Sequence, residues 1–457
     1  MLFRFFQNAE QIGADLKRAL KALEASHLPI LNETLQAFYS PGAILPQGQS
    51  PEQLAGWFSQ SHPRYNLSCW CFFGRLTDAG GRTAAISTMI QAQRIPGQLP
   101  YLSEWSYCDD QTNGYVLAPF FSSEGNVEYS HPFAITVDAN PVYGGFITLS
   151  LASGRMGEKG AQYRMTGRVI TLPFSDLAEW DYEIVMTDSF GCIKDGYGPS
   201  AFLPQWMNAG QQTIIGGPFE GNVRAFLESG QDDMIGQGSY YYSIPLLNVD
   251  RFSVTRNGKP YSSGTQGEFW VDYVVQGFND SSLQIVKTAS WLFFGVQFPE
   301  IPGYDGARAA MIFSVVETSV SGETSRLATA RFYDGRLETI SQNGAHEAAF
   351  DWTMEQIQYT ILETYEDLSA KEKYPTKVRI SLAAPEGSVM MTLSAVRPNQ
   401  VVPFAGKYEG VYDVVADISL EGIAANGVSG FAWGEAGSAS KAHASPPIYE
   451  RSSDSRT

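Results

Sequence analysis

One short string occurs twice in this chain, and it restricts the fold more than any other feature. Trp70-Cys71-Phe72-Phe73-Gly74 is answered by Trp291-Leu292-Phe293-Phe294-Gly295. Each copy runs on through a Gly-rich turn into an apolar stretch, Gly81-Arg82-Thr83-Ala84-Ala85-Ile86 in one case and Gly306-Ala307-Arg308-Ala309-Ala310-Met311 in the other. A second echo follows in the same order: Phe269-Trp270-Val271-Asp272, then Ala432-Trp433-Gly434-Glu435. Each half therefore opens on Trp-x-Phe-Phe-Gly and closes on Trp-x-acid. The simplest account is two tandem antiparallel β units of related design, with a boundary near residues 280–287.

The punctuation agrees. Asp78-Ala79-Gly80-Gly81, Asn257-Gly258 and Asp334-Gly335 are flanked by β-branched or aromatic runs. Asn-Gly and Asp-Gly suit the positive φ angles of tight hairpins. Strands are expected over Ala84–Ile90, Phe146–Leu151, Val169–Leu172, Phe252–Thr255, Met311–Val316, Arg326–Tyr333, Lys377–Leu382 and Met390–Leu393. Strand and helix do not alternate, which excludes doubly wound and TIM-barrel folds. Ahead of the strands, residues 9–26 read as an amphipathic helix with Ile12, Leu16, Leu20 and Leu23 on one stripe. Ser50-Pro51-Glu52-Gln53 carries the cap signals of a second, short helix. This helical extension reads as a stabilising segment or as a cover over a barrel mouth. From Gly437 to Thr457 the chain is Ser, Ala, Pro and charge without periodicity, and disorder is expected there. The organisation is thus a helical extension at 1–60, β domains at 61–283 and 284–437, and a tail at 438–457.

Composition narrows the function. The 457 residues carry a net charge of −17, which disfavours a phosphate-tracking nucleic-acid binder. A 44% hydrophobic content supports sizeable cores. No stretch reaches the roughly 20 apolar residues of a membrane-spanning helix. Arg4 interrupts the apolar start, so no secretory signal is read, and a reducing cytoplasmic setting is expected. Cys69, Cys71, Cys108 and Cys192 lack zinc-ligand spacing and read as small core hydrophobes. His27, His62, His131, His346 and His443 fall in expected loops or the tail. Neither G-x-G-x-x-G, nor a P-loop, nor G-x-S-x-G is present, so no nucleotide cofactor and no hydrolase elbow is expected. The expectation is chemistry without cofactor or metal.

Several landmarks resemble one family in the right order. They are Trp70-Cys71-Phe72-Phe73-Gly74-Arg75-Leu76, Tyr240-Tyr241-Tyr242-Ser243, and Asn257-Gly258-Lys259-Pro260-Tyr261 followed by Gly267-Glu268-Phe269-Trp270-Val271-Asp272. Further on come Tyr374-Pro375-Thr376-Lys377-Val378-Arg379, Tyr408-Glu409-Gly410 and Gly430-Phe431-Ala432-Trp433-Gly434-Glu435. Over residues 65–437 the chain resembles the carotenoid hydratase (hydroxyneurosporene synthase) and AttH-like proteins, a group related to fungal decalin-forming Diels–Alderases. The resemblance implies two tandem lipocalin-like antiparallel β-barrel or sandwich domains, an all-β fold. It implies hydration or cyclisation of a hydrophobic polyene, polyketide or isoprenoid. The chain departs from the family where the signature acid is usually followed by His, because Asp272 is followed by Tyr273. No His–Asp pair is carried over at this strand.

Asp272 is the candidate catalytic residue. It shares a strand face with Trp270, while Tyr273 lies on the other. On an aromatic-lined inner face burial would raise its pKa, leaving a carboxylic acid able to protonate an alkene or hydrogen-bond a carbonyl. Indole π faces would stabilise developing positive charge. The competing reading makes Asp272 a hydrogen-bond acceptor that ties two domains together. Trp270, Tyr241, Tyr273, Trp70, Trp291, Glu409, Trp433 and Glu435 are the candidate substrate contacts, each with an alternative as core or structural acceptor. The chain is read as a cofactor-independent isomerase (cyclase) or lyase (hydratase) of secondary metabolism. A non-catalytic carrier of one apolar ligand is the alternative, since lipocalin-like barrels commonly enclose one.

Overall fold

A computed structural model describes residues 67–93, 101–109, 114–122, 125–128, 134–138, 145–171, 178–195, 213–214, 221–222, 239–276, 290–298, 308–320, 323–334, 350–352, 356–367, 372–384, 387–403, 410–422 and 430–438. Both expected N-terminal helices, all five histidines, Glu409, Gly335 and the tail beyond 438 lie outside these residues.

In the first half the strands are β1 (Leu67–Thr77), β2 (Thr83–Gln93), β3 (Tyr101–Asp109), β4 (Gly114–Ser122), β5 (Gly125–Glu128), β6 (Ala134–Asp138), β7 (Phe146–Ser153) and β8 (Gln162–Thr171). They continue with β9 (Ala178–Asp188), β10 (Ile193–Asp195), β11 (Thr213–Ile214), β12 (Gly221–Asn222), β13 (Ser239–Arg256), β14 (Lys259–Gly264) and β15 (Gln266–Gln276). The second half holds β16 (Ser290–Phe298), β17 (Ala309–Val320), β18 (Glu323–Asp334), β19 (Phe350–Trp352), β20 (Ile357–Asp367), β21 (Glu372–Ala384), β22 (Gly387–Ala395), β23 (Val401–Pro403), β24 (Gly410–Gly422) and β25 (Phe431–Ser438). Nearly every run expected as a strand lies inside one of these. Val169–Leu172 overlaps the end of β8, whose described part stops at Thr171. β25 runs one residue past the expected end of the second β domain.

The chain is all-β in its described part and builds two separate antiparallel sheets. The first runs β4-β3-β2-β1-β15-β13-β9-β8-β7-β6-β5, and the second β19-β18-β17-β16-β25-β24-β22-β21-β20. In each, the opening strand pairs with the closing one, β1 with β15 and β16 with β25. This pairing brings the two sequence echoes side by side. Both sheets curl into barrels. Trp105 on β3 meets Trp180 on β9 at 5.6 Å between ring centroids, although the two strands are well separated in sheet order. In the second sheet Phe313 on β17 meets Tyr359 on β20 at 5.9 Å.

Local chemistry explains the turns. Asp78 Oδ1 accepts the backbone N–H groups of Gly80 and Arg82 at 2.8 and 2.9 Å, and Gly81 takes φ 78°. Asn257 (φ 51°) and Gly258 (φ 71°) form the positive-φ turn between β13 and β14. A register shift between Ile244 and Leu247 reverses the facing of β13. Ile244 and Leu247 both face the first barrel's core, whereas Leu246 between them joins a different cluster.

Among the described residues the main packed regions are one inside each barrel and one between them, with a small cluster of Ala85, Cys108 and Phe431 beside them. The one between the barrels gathers Cys69, Cys71, Phe73, Trp270 and Val274 from the first sheet with Phe293, Ala310, Ile312, Tyr333 and Trp433 from the second. Polar bridges cross the same seam. Gln297 donates to the Pro245 carbonyl, and Arg308 to Ser189 Oγ (2.5 Å) and Asn248 Oδ1 (2.9 Å).

Candidate active site

Alternation along β1 and β15 sends Trp70, Phe72, Val271 and Tyr273 into the first barrel, and Cys71, Phe73, Trp270 and Asp272 out of it. The outward set is covered by the second sheet. Asp272 is therefore fully buried, but on the outer face of its barrel. The expectation that it lines an inner face is corrected, because the curl of the sheet decides which of a strand's two faces is concave. Trp270 shares its face, as its spacing requires.

A single cross-strand row carries most of the polar chemistry: Glu104, Met89, Cys71, Asp272 and Ser243 are register partners across β3, β2, β1, β15 and β13. Asp272 Oδ1 accepts the Ser243 hydroxyl at 2.5 Å and the Trp270 indole N–H at 2.7 Å. Cys69 and Cys71 lie Sγ to Sγ at 3.3 Å beside them. From the opposite sheet comes Glu435, whose Oε1 accepts the Trp291 indole N–H. Glu104 completes the cluster, with Ser87 Oγ 3.4 Å from Oε1 and Ser106 Oγ 2.6 Å beyond.

Burial sets the proton affinities. It pushes Glu104 up to about 8, against the Ser87 hydrogen bond and helped by the nearby Glu435 carboxylate. It also pushes Glu435 up to about 7, against the Trp291 donor. Because the two acids feel each other, their protons leave in coupled steps that belong to the pair. The Cys71 thiol is raised well above its usual value by the Cys69 hydrogen bond, then by burial and by Cys69, Glu435 and Asp272. The seam thus holds protons at neutral pH in a setting of indole rings. Phe73 stacks on Trp433 at 3.7 Å, and Trp270 lies 6.3 Å from the same indole. Two buried polar atoms, Glu104 Oε2 and Trp433 Nε1, make no hydrogen bond among the described residues.

No family model and no curated protein matches the sequence. Among solved structures, a putative AttH from Nitrosomonas europaea aligns with TM-score 0.53 and 14% identity, over 87% of this chain and 98% of that one. The chain has the AttH fold. Kievitone hydratase from Nectria haematococca aligns at TM-score 0.49 and 13% identity, over 81% and 89% of the two chains. CghA bound to Sch210972 aligns at 0.42 and 11%, over 83% and 90%.

Within this AttH fold the sequence candidates separate into two groups. Asp272, Trp270, Trp433, Glu435 and Trp291 meet at the seam. Trp70 and Tyr273 pack on each other inside the first barrel at 4.9 Å. The Tyr241 backbone stands opposite Val274. Trp70 and Trp291, which match letter for letter, therefore face different regions. The opening echo is offset by one residue between halves: Phe73 pairs with Trp270, whereas Gly295 pairs with Trp433. Such a slip reverses every side chain. Sequence reasoning missed Glu104, Ser243 and the acid-side role of Cys71. Ser103-Glu104-Trp105-Ser106 reads as an alternating strand with a solvent-facing Glu, and only the covering sheet makes that Glu a buried one.

Proposed function

We propose that the chain is a cofactor-independent cyclase or hydratase acting on a hydrophobic polyene, polyketide or isoprenoid, with its chemistry at the seam between two domains spanning 61–283 and 284–437. The observation that carries this reading is the convergence of Asp272, Glu104 and Glu435 in one buried cluster walled by Trp270, Trp291 and Trp433. Acids whose environments hold a proton near neutrality are suited to general acid catalysis. A neutral Glu435 or Glu104 carboxyl gives its proton to one alkene carbon. The indole faces stabilise the positive charge left on the other carbon. In hydration, water adds there and its surplus proton returns to the carboxylate. In cyclisation, a second double bond closes the ring and a neighbouring carbon returns the proton. Asp272, fixed by Ser243 and Trp270, orients the reacting group or receives that proton. Glu104 Oε2 and Trp433 Nε1 offer open positions for a substrate oxygen.

The test is to incubate the full chain with a panel of linear polyene and polyketide substrates in D2O and follow products by mass spectrometry. Hydration adds the mass of water, protonative cyclisation incorporates deuterium, and a pericyclic closure does neither. Conversion is expected to drop at least about a hundredfold in Asp272→Asn or Glu435→Gln for an acid-catalysed path, the usual scale of one positioned acid. Full turnover by both variants would overturn acid catalysis at the seam, and no conversion by the wild-type chain would overturn the enzyme reading.

A further inference from the structure

Three sulfur-bearing side chains gather on the outer face of the first barrel, and the chemistry proposed above uses none of them. Cys69 and Cys71 stand two apart on β1 and so share a face. Both are free thiols, 6% and 5% exposed, and their Sγ atoms lie 3.3 Å apart. Met89 on β2 is the register partner of Cys71 and packs against the same cluster. Cβ atoms of such partners are about 4.5–5.5 Å apart, and three rotatable bonds let a Met thioether swing toward its neighbours. Met89 is half-buried, less enclosed than either cysteine.

A thiol is a weak hydrogen-bond donor and a weak acceptor. The contact alone is a poor reason for two of the chain's four cysteines to stand together. As ligands the same atoms are selective. Among the described residues no group of three His, Cys, Asp or Glu side chains could hold a metal, so they form no closed zinc site. Two thiolates and a thioether suit a soft cation of low coordination number, and Cys with Met selects Cu(I). Binding would break two S–H bonds and form two Cu–S bonds, with both protons leaving to solvent.

The electrostatics permit this exchange. Burial and the nearby Glu435 and Asp272 oppose a bare thiolate at Cys71, after the Cys69 hydrogen bond. The pair is accordingly slow toward oxidants and alkylating agents, which attack thiolates. A bound cation reverses that balance, because it brings its own positive charge to the sulfur. The filled site carries one net negative charge. Glu104, beyond Met89 in the same row, is pushed up to about 8 by burial and meets that charge as a neutral acid at pH 7.

We propose that Cys69, Cys71 and Met89 form a binding site for one Cu(I) ion on the seam-facing side of β1 and β2. The inference does not rest on the reaction proposed for the seam, and its test needs no turnover.

The test is anaerobic titration of the full, reduced chain into the coloured bis(bicinchoninate)–Cu(I) complex, whose bleaching reports transfer of the ion. One equivalent is expected to move to the chain, with an affinity that rises with pH as thiol protons are displaced. Cys69→Ser and Cys71→Ser are each expected to weaken binding at least about a hundredfold, the upper end of what losing an outer-shell partner costs. Met89→Leu, close in shape but without sulfur, is expected to weaken it about tenfold, the lower end of that scale. Cys108→Ser and Cys192→Ser, whose thiols pack in other clusters, leave stoichiometry and affinity unchanged. Circular dichroism checks that each variant folds, and alanine replaces serine at a position where it does not. No transfer to the wild-type chain would overturn the site. So would an affinity retained in both Cys69→Ser and Cys71→Ser, or one unmoved by Met89→Leu. Transfer lost instead in Cys108→Ser or Cys192→Ser would mean adventitious thiol binding and would overturn it equally.

Discussion

At the scale of single residues, the seam depends on what is missing as much as on what is present. Gly295 has no side chain because its Cβ would stand 2.6 Å from Trp270 Cε2 and 2.7 Å from Trp433 Nε1. Both indoles are buried, and Trp433 is stacked on Phe73. Gly295→Ala is therefore expected to cost about 2 kcal/mol, the scale of overpacking in a filled core. Urea denaturation measures it, and an unchanged midpoint would show that the indoles can shift. Asp272 illustrates what a sequence can and cannot convey at this scale. Its partnership with Trp270 was legible, since both sit on one face by parity. Its burial by a second sheet was not, because the residues that cover it lie far along the chain. Glu104 escaped notice for the same reason.

At the scale of elements, hairpins were the most legible parts. Asn257-Gly258 has the residue types a positive-φ turn needs, and the structure adds a second task for Asn257. Its Oδ1 accepts the Glu179 N–H at 2.9 Å and its own N–H donates to the Glu179 carbonyl at 2.7 Å, so the turn is tied to β9. Asn257→Ala loses the side-chain acceptor and tolerates φ 51° poorly. A loss of about 1–2 kcal/mol is expected in thermal or chemical unfolding. A neutral result would mean that water replaces the tie at no cost. Strand positions were also readable from alternation, since burial in β8 changes at nearly every residue. Alternation defines two faces without ranking them, however. In β1 the face looking into the barrel carries Trp70, and in β16 the corresponding tryptophan looks toward the seam. Bulges compound this, because one extra residue near Pro245 redirects the rest of β13 and has no distinctive sequence signal.

At the scale of the whole molecule, buried acids make stability depend on pH. The folded-state affinities of Glu104 (about 8) and Glu435 (about 7) lie above the ordinary 4.5 of an unfolded chain. The folded protein thus binds more protons between these limits, and stability must fall as pH rises through that window. Asp188, held at about 7 by burial against two backbone N–H donors, adds to the same slope. The melting temperature is expected to be several degrees higher near pH 5 than near pH 8.5. Glu104→Gln should flatten that dependence while Asp188 preserves part of it. A melting temperature that rises with pH would contradict the buried-proton picture. The offset between the two opening echoes has a consequence of another kind. At the seam one half presents protruding Phe73 and Trp270, and the other presents the hollow at Gly295 beside Trp433. Two copies of the same half would meet protrusion against protrusion or hollow against hollow. A symmetric homodimer of either half cannot reproduce this contact. If the halves descend from one duplicated ancestor, their facing surfaces have since become complementary to each other, and neither half can rebuild the contact with a copy of itself.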